Sequence, residues 1–417
     1  MTRHTLRVAT ALAIATAVLL VYAARWVQMD APRIDAGDFT ATYVGGSLWR
    51  DGHRADLYSE PLQYDRHAHI DSPRLTSDLL FANPPVAAVL AAPFTLLGLS
   101  DAYRLWTLLQ VALLVAAVVS VARAAPWPDR WGAVSRYTAG AAALAGVAGL
   151  PFLLLGQWDG IVALGVALAY VAWRRGGRFG GGALLALSIA IAKPHLGLGL
   201  AAFLLGWRDR RALAGALAGV LIAVVASVLA AGVAGMAGFA QGALADAGRW
   251  PLRSLIGFTG LAGSWLGDGR SAHALAAVAT VMAMAVCVYL GAMHRRRPVL
   301  LEVTLGAAVV LSLVASPHLR MHDLVMLAPV LVWVVAWAAR QDALPRPQSR
   351  IRQGAWLGGG GGRCVAVVVG LWLAVNTAAA LDLGNSQPAP PGRVVPLALV
   401  AAGALAVMVV RSSTVVV

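Results

Sequence analysis

Apolar runs long enough to cross a membrane recur along this chain of 417 residues. A membrane-spanning helix needs about 20 mainly apolar residues, and such runs begin with residues 5–26 and end with residues 394–410. Hydrophobic residues make up 59% of the sequence and charged residues 12%, whereas about a quarter of the residues in a soluble domain are charged. The sequence therefore predicts one all-α, polytopic membrane domain over residues 1–417, with about 12 transmembrane helices.

The basic residues predict how these helices are oriented. Cytoplasmic loops of membrane proteins are enriched in Lys and Arg, and the linkers at residues 207–211, 294–297 and 340–363 are strongly basic. We therefore expect these linkers in the cytoplasm and the loops at 233–270 and 316–323 on the opposite side. The net charge of +14 arises from such linkers. No basic run is interleaved with aromatic residues, so no nucleic-acid partner is expected.

A long polar segment at residues 27–80 follows the first helix. It holds nine of the 19 acidic residues, and we expect a long extracytoplasmic loop with a short interfacial helix at residues 39–50. Residues 5–26 also have the pattern of a signal peptide, but their length and Trp26 favour an uncleaved helix. The rest of the chain divides into a helix bundle at 81–340, a cytoplasmic linker at 341–363 and C-terminal helices at 364–417.

Asp38 follows Gly37 directly, where the first helix is expected to leave the membrane. A carboxylate at this position can cap a helix or can act as a general base. The residues alone leave both roles open. Asp35, three residues earlier, is the second candidate for the base.

Lys193 is the only lysine of the chain, and it lies within an apolar stretch. A charge inside a spanning segment costs about 3 kcal/mol and usually marks a functional site. We expect a lipid-linked phosphate to be its counter-ion, so the Lys193→Met variant should fold at least as well as the parent; snorkelling to the interface is the alternative. Pro194 predicts either a hairpin of residues 181–192 and 195–206 or one kinked helix over 181–206.

The stretch from Ser316 to Asp323 contains three basic side chains. If it is helical, His318 and His322 share a face. That spacing can bind a metal ion, but the motif offers no third ligand, so neither a metal nor another cofactor is expected. Arg320 suits bidentate binding of a phosphate, and Asp323 is expected to cap the following span.

Several stretches of the sequence resemble glycosyltransferase family 87, a family of polyprenyl-phosphate-mannose-dependent mannosyltransferases with the GT-C fold. The first two are DFTATYVGG, which opens at Asp38, and FANPPVAAV, which opens at Phe81. The others are GQWDG, AKPHLGL and SPHLRMHD, and all follow the order of the family. Asn83 stands where the family usually has an aromatic residue, Thr42 takes the place of a Tyr with Tyr43 beside it, and Arg320 takes the place of a Trp.

The resemblance implies a transfer of mannose, with inversion, from a polyprenyl-phosphate donor to a hydroxyl of a glycolipid or cell-envelope glycan. It implies a multi-pass protein of a bacterial plasma membrane with an extracytoplasmic active site and Asp38 as the base. His322 matches a family histidine, and we expect it to bind the donor phosphate or sugar, together with Lys193, Arg320 and His318. Contacts to sugar or acceptor are expected from Asp35, Tyr43, Asn83, Gln157 and Asp159.

Alternatives to these expectations stay open at this point. GQWD suits an ordinary interfacial turn anchored by Trp158 equally well. A transporter or lipid flippase would also be polytopic, but it should show internal repeats with paired broken helices, and the acidic loop and Lys193 each occur once. Glucose or arabinofuranose could replace mannose, because the sequence does not reveal the sugar.

Overall fold

The computed structural model describes residues 3–70, 79–246, 250–343 and 363–383, and within them it contains helices and no strand. This confirms the all-α prediction. The predicted linker beyond residue 343 and the helix at 394–410 lie outside these ranges. In chain order the α-helices are α1 Arg3–Val27, α2 Ala31–Asp35, α3 Asp38–Arg50, α4 Glu60–Ile70, α5 Pro85–Ala91, α6 Leu99–Ala124, α7 Ala133–Leu144, α8 Gly149–Leu155, α9 Asp159–Arg174, α10 Arg178–Ala192, α11 Leu198–Trp207, α12 Arg210–Asp246, α13 Phe258–Leu266, α14 Arg270–Arg296, α15 Leu301–Val314, α16 Leu327–Ala343 and α17 Arg363–Leu383.

Short 3-10 segments join or extend several of these helices. They are Ala92–Leu96, Pro194–Gly197, Leu252–Ser254, Pro298–Leu300 and Met321–Met326. The last of them runs directly into α16, so the two together form one apolar stretch.

Five helices of the described ranges are long and apolar enough to cross a membrane. The pair α7 and α8, bent by 61°, gives a sixth if it counts as one span. Shorter apolar helices of 10–17 residues lie between these spans and after the last of them. The chain is therefore a membrane protein, while about twelve spans and the details of a GT-C fold stay predictions. The five spans are Thr5–Val27, Leu99–Ala124, Arg210–Leu244, Arg270–Arg296 and Met321–Ala343.

The helix predicted at residues 39–50 is confirmed as α3, but it is packed inside the protein rather than at an interface. Phe39, Val44 and Leu48 are at most 1% exposed. Two glycines let its neighbours approach closely, because a Cβ added at Gly45 would lie 2.4 Å from the ring of Phe81. This packing brings the middle of α3 close to Phe81, in the segment that leads into α5.

The chain breaks at Lys193, between α10 and the 3-10 turn before α11. Lys193 has φ −143° and ψ 75°, outside the helical region, as expected for a residue before proline. α10 packs against α9 and α12, whereas α11 packs against α14 and α15. The segment is thus neither one continuous helix nor a hairpin of two helices lying side by side.

The end of α8 lies close to the start of α3. α8 ends at Gly156, whose backbone is left-handed at φ 64° and ψ 46°, a conformation that glycine adopts without steric cost. A Cβ at this position would also lie 2.9 Å from Phe39 Cβ. The chain therefore turns sharply into Gln157 beside the start of α3.

The crossing of α11 and α14 depends on small residues. Cβ atoms at Gly206 and Gly291 would lie 1.9 Å from Val288 O and 2.0 Å from Phe203 O. Small residues allow this close approach of helix backbones within membranes.

We expect Gly291→Ala to destabilise the protein by about 1–3 kcal/mol, because its methyl group overpacks this crossing. The melting midpoint of the purified protein in detergent measures the effect. Gly242→Ala is the matched control, since nothing lies within 4 Å of the added Cβ. Equal melting of Gly291→Ala and the parent would show that the helices do not cross this closely.

Candidate active site

A cavity of about 590 Å³ lies where these helix ends meet. Its walls come from the start of α3, the turn between α8 and α9, the end of α10, the segment before α5, the second part of α12 and the loop before α16. All the stretches that carry the family resemblance therefore contribute to one site. The polar and charged lining residues are Asp38, Thr42, Asn83, Gln157, Lys193, His195, His318, Arg320, His322 and Asp323.

Asp38 lies at this cavity with its carboxylate held by Gln157. Gln157 Nε2 donates a hydrogen bond to Asp38 Oδ2. The capping role considered for Asp38 is wrong, because Gly37 is the N-cap of α3 and the Asp38 side chain makes no capping bond. Burial raises the pKa of Asp38 above its ordinary value, and the positive charges of Arg320 and Lys193 oppose this rise.

Lys193 is buried, at 7% exposure, between two carboxylates. Its Nζ lies 3.0 Å from each carboxylate oxygen of Asp159 and 2.6 Å from Asp323 Oδ1. These carboxylates are counter-ions that the sequence pattern does not indicate, and the burial of Lys193 excludes snorkelling to an interface. Binding of a lipid-linked phosphate by Lys193 stays a prediction. The triad of Asp159, Lys193 and Asp323 joins three segments of the cavity wall through charge-assisted hydrogen bonds.

Asp323 also caps its own 3-10 segment, but it does so from the third position, and Arg320 is the N-cap that Asp323 was expected to be. The backbone N–H of Arg320 donates to Asp323 Oδ2 at 2.6 Å. One oxygen of Asp323 thus caps the 3-10 turn while the other binds Lys193. This double use fixes the loop that carries Arg320 and His322.

The fold supplies the third metal-ligand candidate that the sequence motif lacks. Ligand atoms of Asp159, His322 and Asp323 lie within 4.8 Å of one another. The ammonium of Lys193 already lies between the two carboxylates, so a divalent ion would have to displace it. The expectation of no metal stays a prediction.

Arg320 is the cation of the cavity that has no carboxylate partner within ion-pair distance in the described ranges. Its Cζ lies 4.3 Å above the ring of Trp250, an arrangement that orients a guanidinium without using its N–H donors. Arg320 is half-buried. The guanidinium can therefore bind an anion that enters the cavity.

His318 and His322 do not form the helical pair that an α-helix over this stretch would give. Residues 316–320 are non-helical and His322 belongs to a 3-10 turn, so His318 and His322 do not share an α-helical face. His318 instead lies beside His195, with ring centroids 6.3 Å apart, and His322 is buried with Nε2 3.6 Å from Asp323 Oδ1. From the sequence alone His195 is a weak candidate, because neighbours on a helix point about 100° apart, but the break at Lys193 removes that constraint.

Three predicted contacts lie away from the cavity lining: Asp159, which is fully buried against Lys193, and two others. Asp35 is 6% exposed, at the end of α2, and Tyr43 Oη donates to Leu97 O at 2.8 Å. Thr42 lines the cavity instead of Tyr43, and its Oγ1 accepts a hydrogen bond from Trp158 Nε1 at 3.0 Å. Asn83 lines the cavity, but its Nδ2 donates to Ala192 O at 2.8 Å.

Comparison with known proteins identifies the family. The model of glycosyltransferase family 87 matches residues 81–317, more than half of the chain. This range includes Asn83, Gln157, Asp159 and Lys193, whereas Asp38 precedes it and Arg320 follows it. No curated protein and no solved structure is similar enough to count as a match. The chain belongs to glycosyltransferase family 87 and is a membrane glycosyltransferase.

Proposed function

We propose that the protein transfers a sugar from a polyprenyl-phosphate donor to a hydroxyl of a glycolipid or cell-envelope glycan. The observation that carries this proposal is one cavity lined by a held carboxylate, Asp38, and by a guanidinium with no carboxylate partner in the described ranges, Arg320. Transfer from a lipid phosphate needs a base for the acceptor hydroxyl and a cation for the departing phosphate. The family supports the transferase over a transporter.

Asp38 acts as the general base in this reaction. The acceptor oxygen forms a bond to the anomeric carbon while its proton passes to the Asp38 carboxylate. The bond between the anomeric carbon and the phosphate oxygen breaks on the opposite side, and the phosphate leaves with the electron pair. A single displacement of this kind inverts the anomeric configuration. Gln157 orients the carboxylate through its hydrogen bond.

Arg320 binds the donor phosphate, with His318 and His322 beside it. A guanidinium can form two parallel hydrogen bonds to phosphate oxygens, and Trp250 holds its plane in place. Lys193 adds positive charge near the cavity, but its hydrogen bonds are directed to Asp159 and Asp323. Lys193 therefore positions the walls of the site, and Arg320 takes the role of phosphate clamp.

The sugar, the acceptor and the side of the membrane are also part of the proposal. The family resemblance supports mannose as the sugar, and the alternation of basic linkers supports a cavity on the extracytoplasmic side of a bacterial plasma membrane. The purified protein in detergent should transfer labelled mannose from a polyprenyl-phosphate donor to lipid acceptors. Parallel assays with glucose and arabinofuranose donors test the sugar, and faster transfer of either one would replace mannose.

The pH dependence follows from the raised pKa of Asp38. Below that pKa the carboxyl is protonated and cannot accept a proton, so kcat/KM should fall on the acid side with a midpoint above the ordinary value of about 4. Gln157→Leu removes a hydrogen bond that favours the charged form, so the midpoint should move to higher pH. A pH–rate profile of both proteins measures it, and a midpoint that moves down in Gln157→Leu would exclude Asp38 as the titrating base.

A further inference from the structure

One wall of the cavity is formed by the non-helical segment from Leu79 to Asn83, which precedes α5. Hydrogen bonds with three side chains hold this segment along one of its edges. His67 Nε2 donates to Leu79 O at 3.1 Å, the backbone N–H of Phe81 donates to Gln63 Oε1 at 2.7 Å, and Tyr58 Oη donates to Asn83 O at 2.6 Å. The three side chains come from residues 58–67, in and just before α4. They fix every second residue of the segment.

This spacing shows which way the backbone groups point. In an extended chain the N–H and C=O of alternate residues point to the same edge, and residues 79, 81 and 83 use the edge that faces α4. This alternation predicts that the backbone groups of Leu80 and Ala82 point to the other edge. Both residues line the cavity, and their N–H and C=O groups have no hydrogen-bond partner among the described residues.

The polar side chains that hold this segment in place are buried. Gln63 is 1% exposed and His67 is 3% exposed, and Gln63 Nε2 also donates to Leu57 O at 2.9 Å. Asn83 ties the end of the segment to Ala192, next to Lys193. Non-helical backbone within a membrane protein is tolerated where it lines a cavity, so a fixed edge with unused donors and acceptors indicates a binding surface.

We propose that the Leu80–Ala82 edge is the acceptor subsite, where backbone N–H and C=O groups bind the hydroxyls of the acceptor sugar. This inference rests on the proposed function. A hydroxyl both donates and accepts hydrogen bonds, which matches an edge that presents both kinds of group. A phosphate accepts hydrogen bonds and requires cations, which Arg320 supplies at another wall of the cavity. The acceptor sugar on this edge presents its reacting hydroxyl to Asp38.

The test replaces Ala82 with Pro, which removes the backbone N–H and suits an extended segment. Ala82→Ser keeps the backbone N–H and adds only one hydroxyl group, and it is the matched control. Three quantities are measured with polyprenyl-phosphate mannose as donor: the rate of its hydrolysis by water, its binding to the protein, and the KM of the acceptor. The acceptor is whichever of octyl mannoside, glucoside and galactoside the parent protein uses fastest. We expect Ala82→Pro to raise the acceptor KM about tenfold, with donor hydrolysis and binding within about twofold of the parent and Ala82→Ser.

An unchanged acceptor KM in Ala82→Pro would overturn the proposal, and an equal loss of donor binding would place the edge on the donor side. If Ala82→Pro does not fold, Tyr58→Phe carries the test, because it removes the hydrogen bond to Asn83 O. Its acceptor KM should rise severalfold with donor hydrolysis unchanged, and an unchanged KM counts against the subsite. A parent protein that neither hydrolyses nor transfers the donor sugar would instead contradict the proposed function.

Discussion

Replacing Asp38 with Asn is expected to reduce sugar transfer by about 10²–10⁴-fold, the usual contribution of a general base. The amide has the same shape, and its oxygen can still accept the hydrogen bond from Gln157, so the fold and the binding of the donor should persist. Initial rates of transfer and a donor-binding assay on the same purified protein separate these effects.

Asp35→Asn is the matched control for this prediction. Asp35 is an aspartate three residues away that is buried and does not line the cavity. Its Asn variant should therefore keep most of the transfer activity. An inactive Asp35→Asn together with a near-normal Asp38→Asn would move the base to Asp35.

Replacing Lys193 with Met is expected to destabilise the protein by about 3–5 kcal/mol. This is the usual result of removing one partner from a buried ion pair, and here it would leave the carboxylates of Asp159 and Asp323 close together without their cation. The sequence alone led to the opposite expectation, because it shows the buried charge but not its partners. Melting of the purified variant in detergent measures the effect.

A triple variant isolates the cause. Combining Lys193→Met with Asp159→Asn and Asp323→Asn removes all three charges, and the amide oxygen introduced at position 323 would still cap the 3-10 turn. The triple variant should recover much of the stability that the single variant loses. A single Met variant that melts with the parent would show that the triad does not hold the cavity walls together.

The sequence is informative about local features of the site. Pro194 indicates the helix break at Lys193. Gly37 followed by Asp38 indicates a carboxylate at a helix terminus, and Asp38 is the first residue of α3. The partners of Lys193 could not be predicted, because Asp159 and Asp323 are 34 and 130 residues away in sequence. No local pattern reports a pairing over such separations.

The errors at the site also have local causes. The histidines after Ser316 share a face only if their segment is an α-helix, and residues 316–320 are non-helical and lead into a 3-10 turn. Tyr43 and Thr42 are adjacent, and a shift by one residue on a helix turns a side chain by about 100°. The direction of the cavity therefore decides which of the two lines it, and that direction depends on the packing of α3 against α5.

The anomeric configuration of the product tests the central claim most directly. NMR of the glycoside formed by the purified protein from a polyprenyl-phosphate mannose donor of known configuration reports the stereochemistry of transfer. Asp38 acting as a base in a single displacement predicts a product with the configuration opposite to that of the donor. A product with the donor's configuration would require a covalent intermediate or a second displacement, and it would contradict this mechanism.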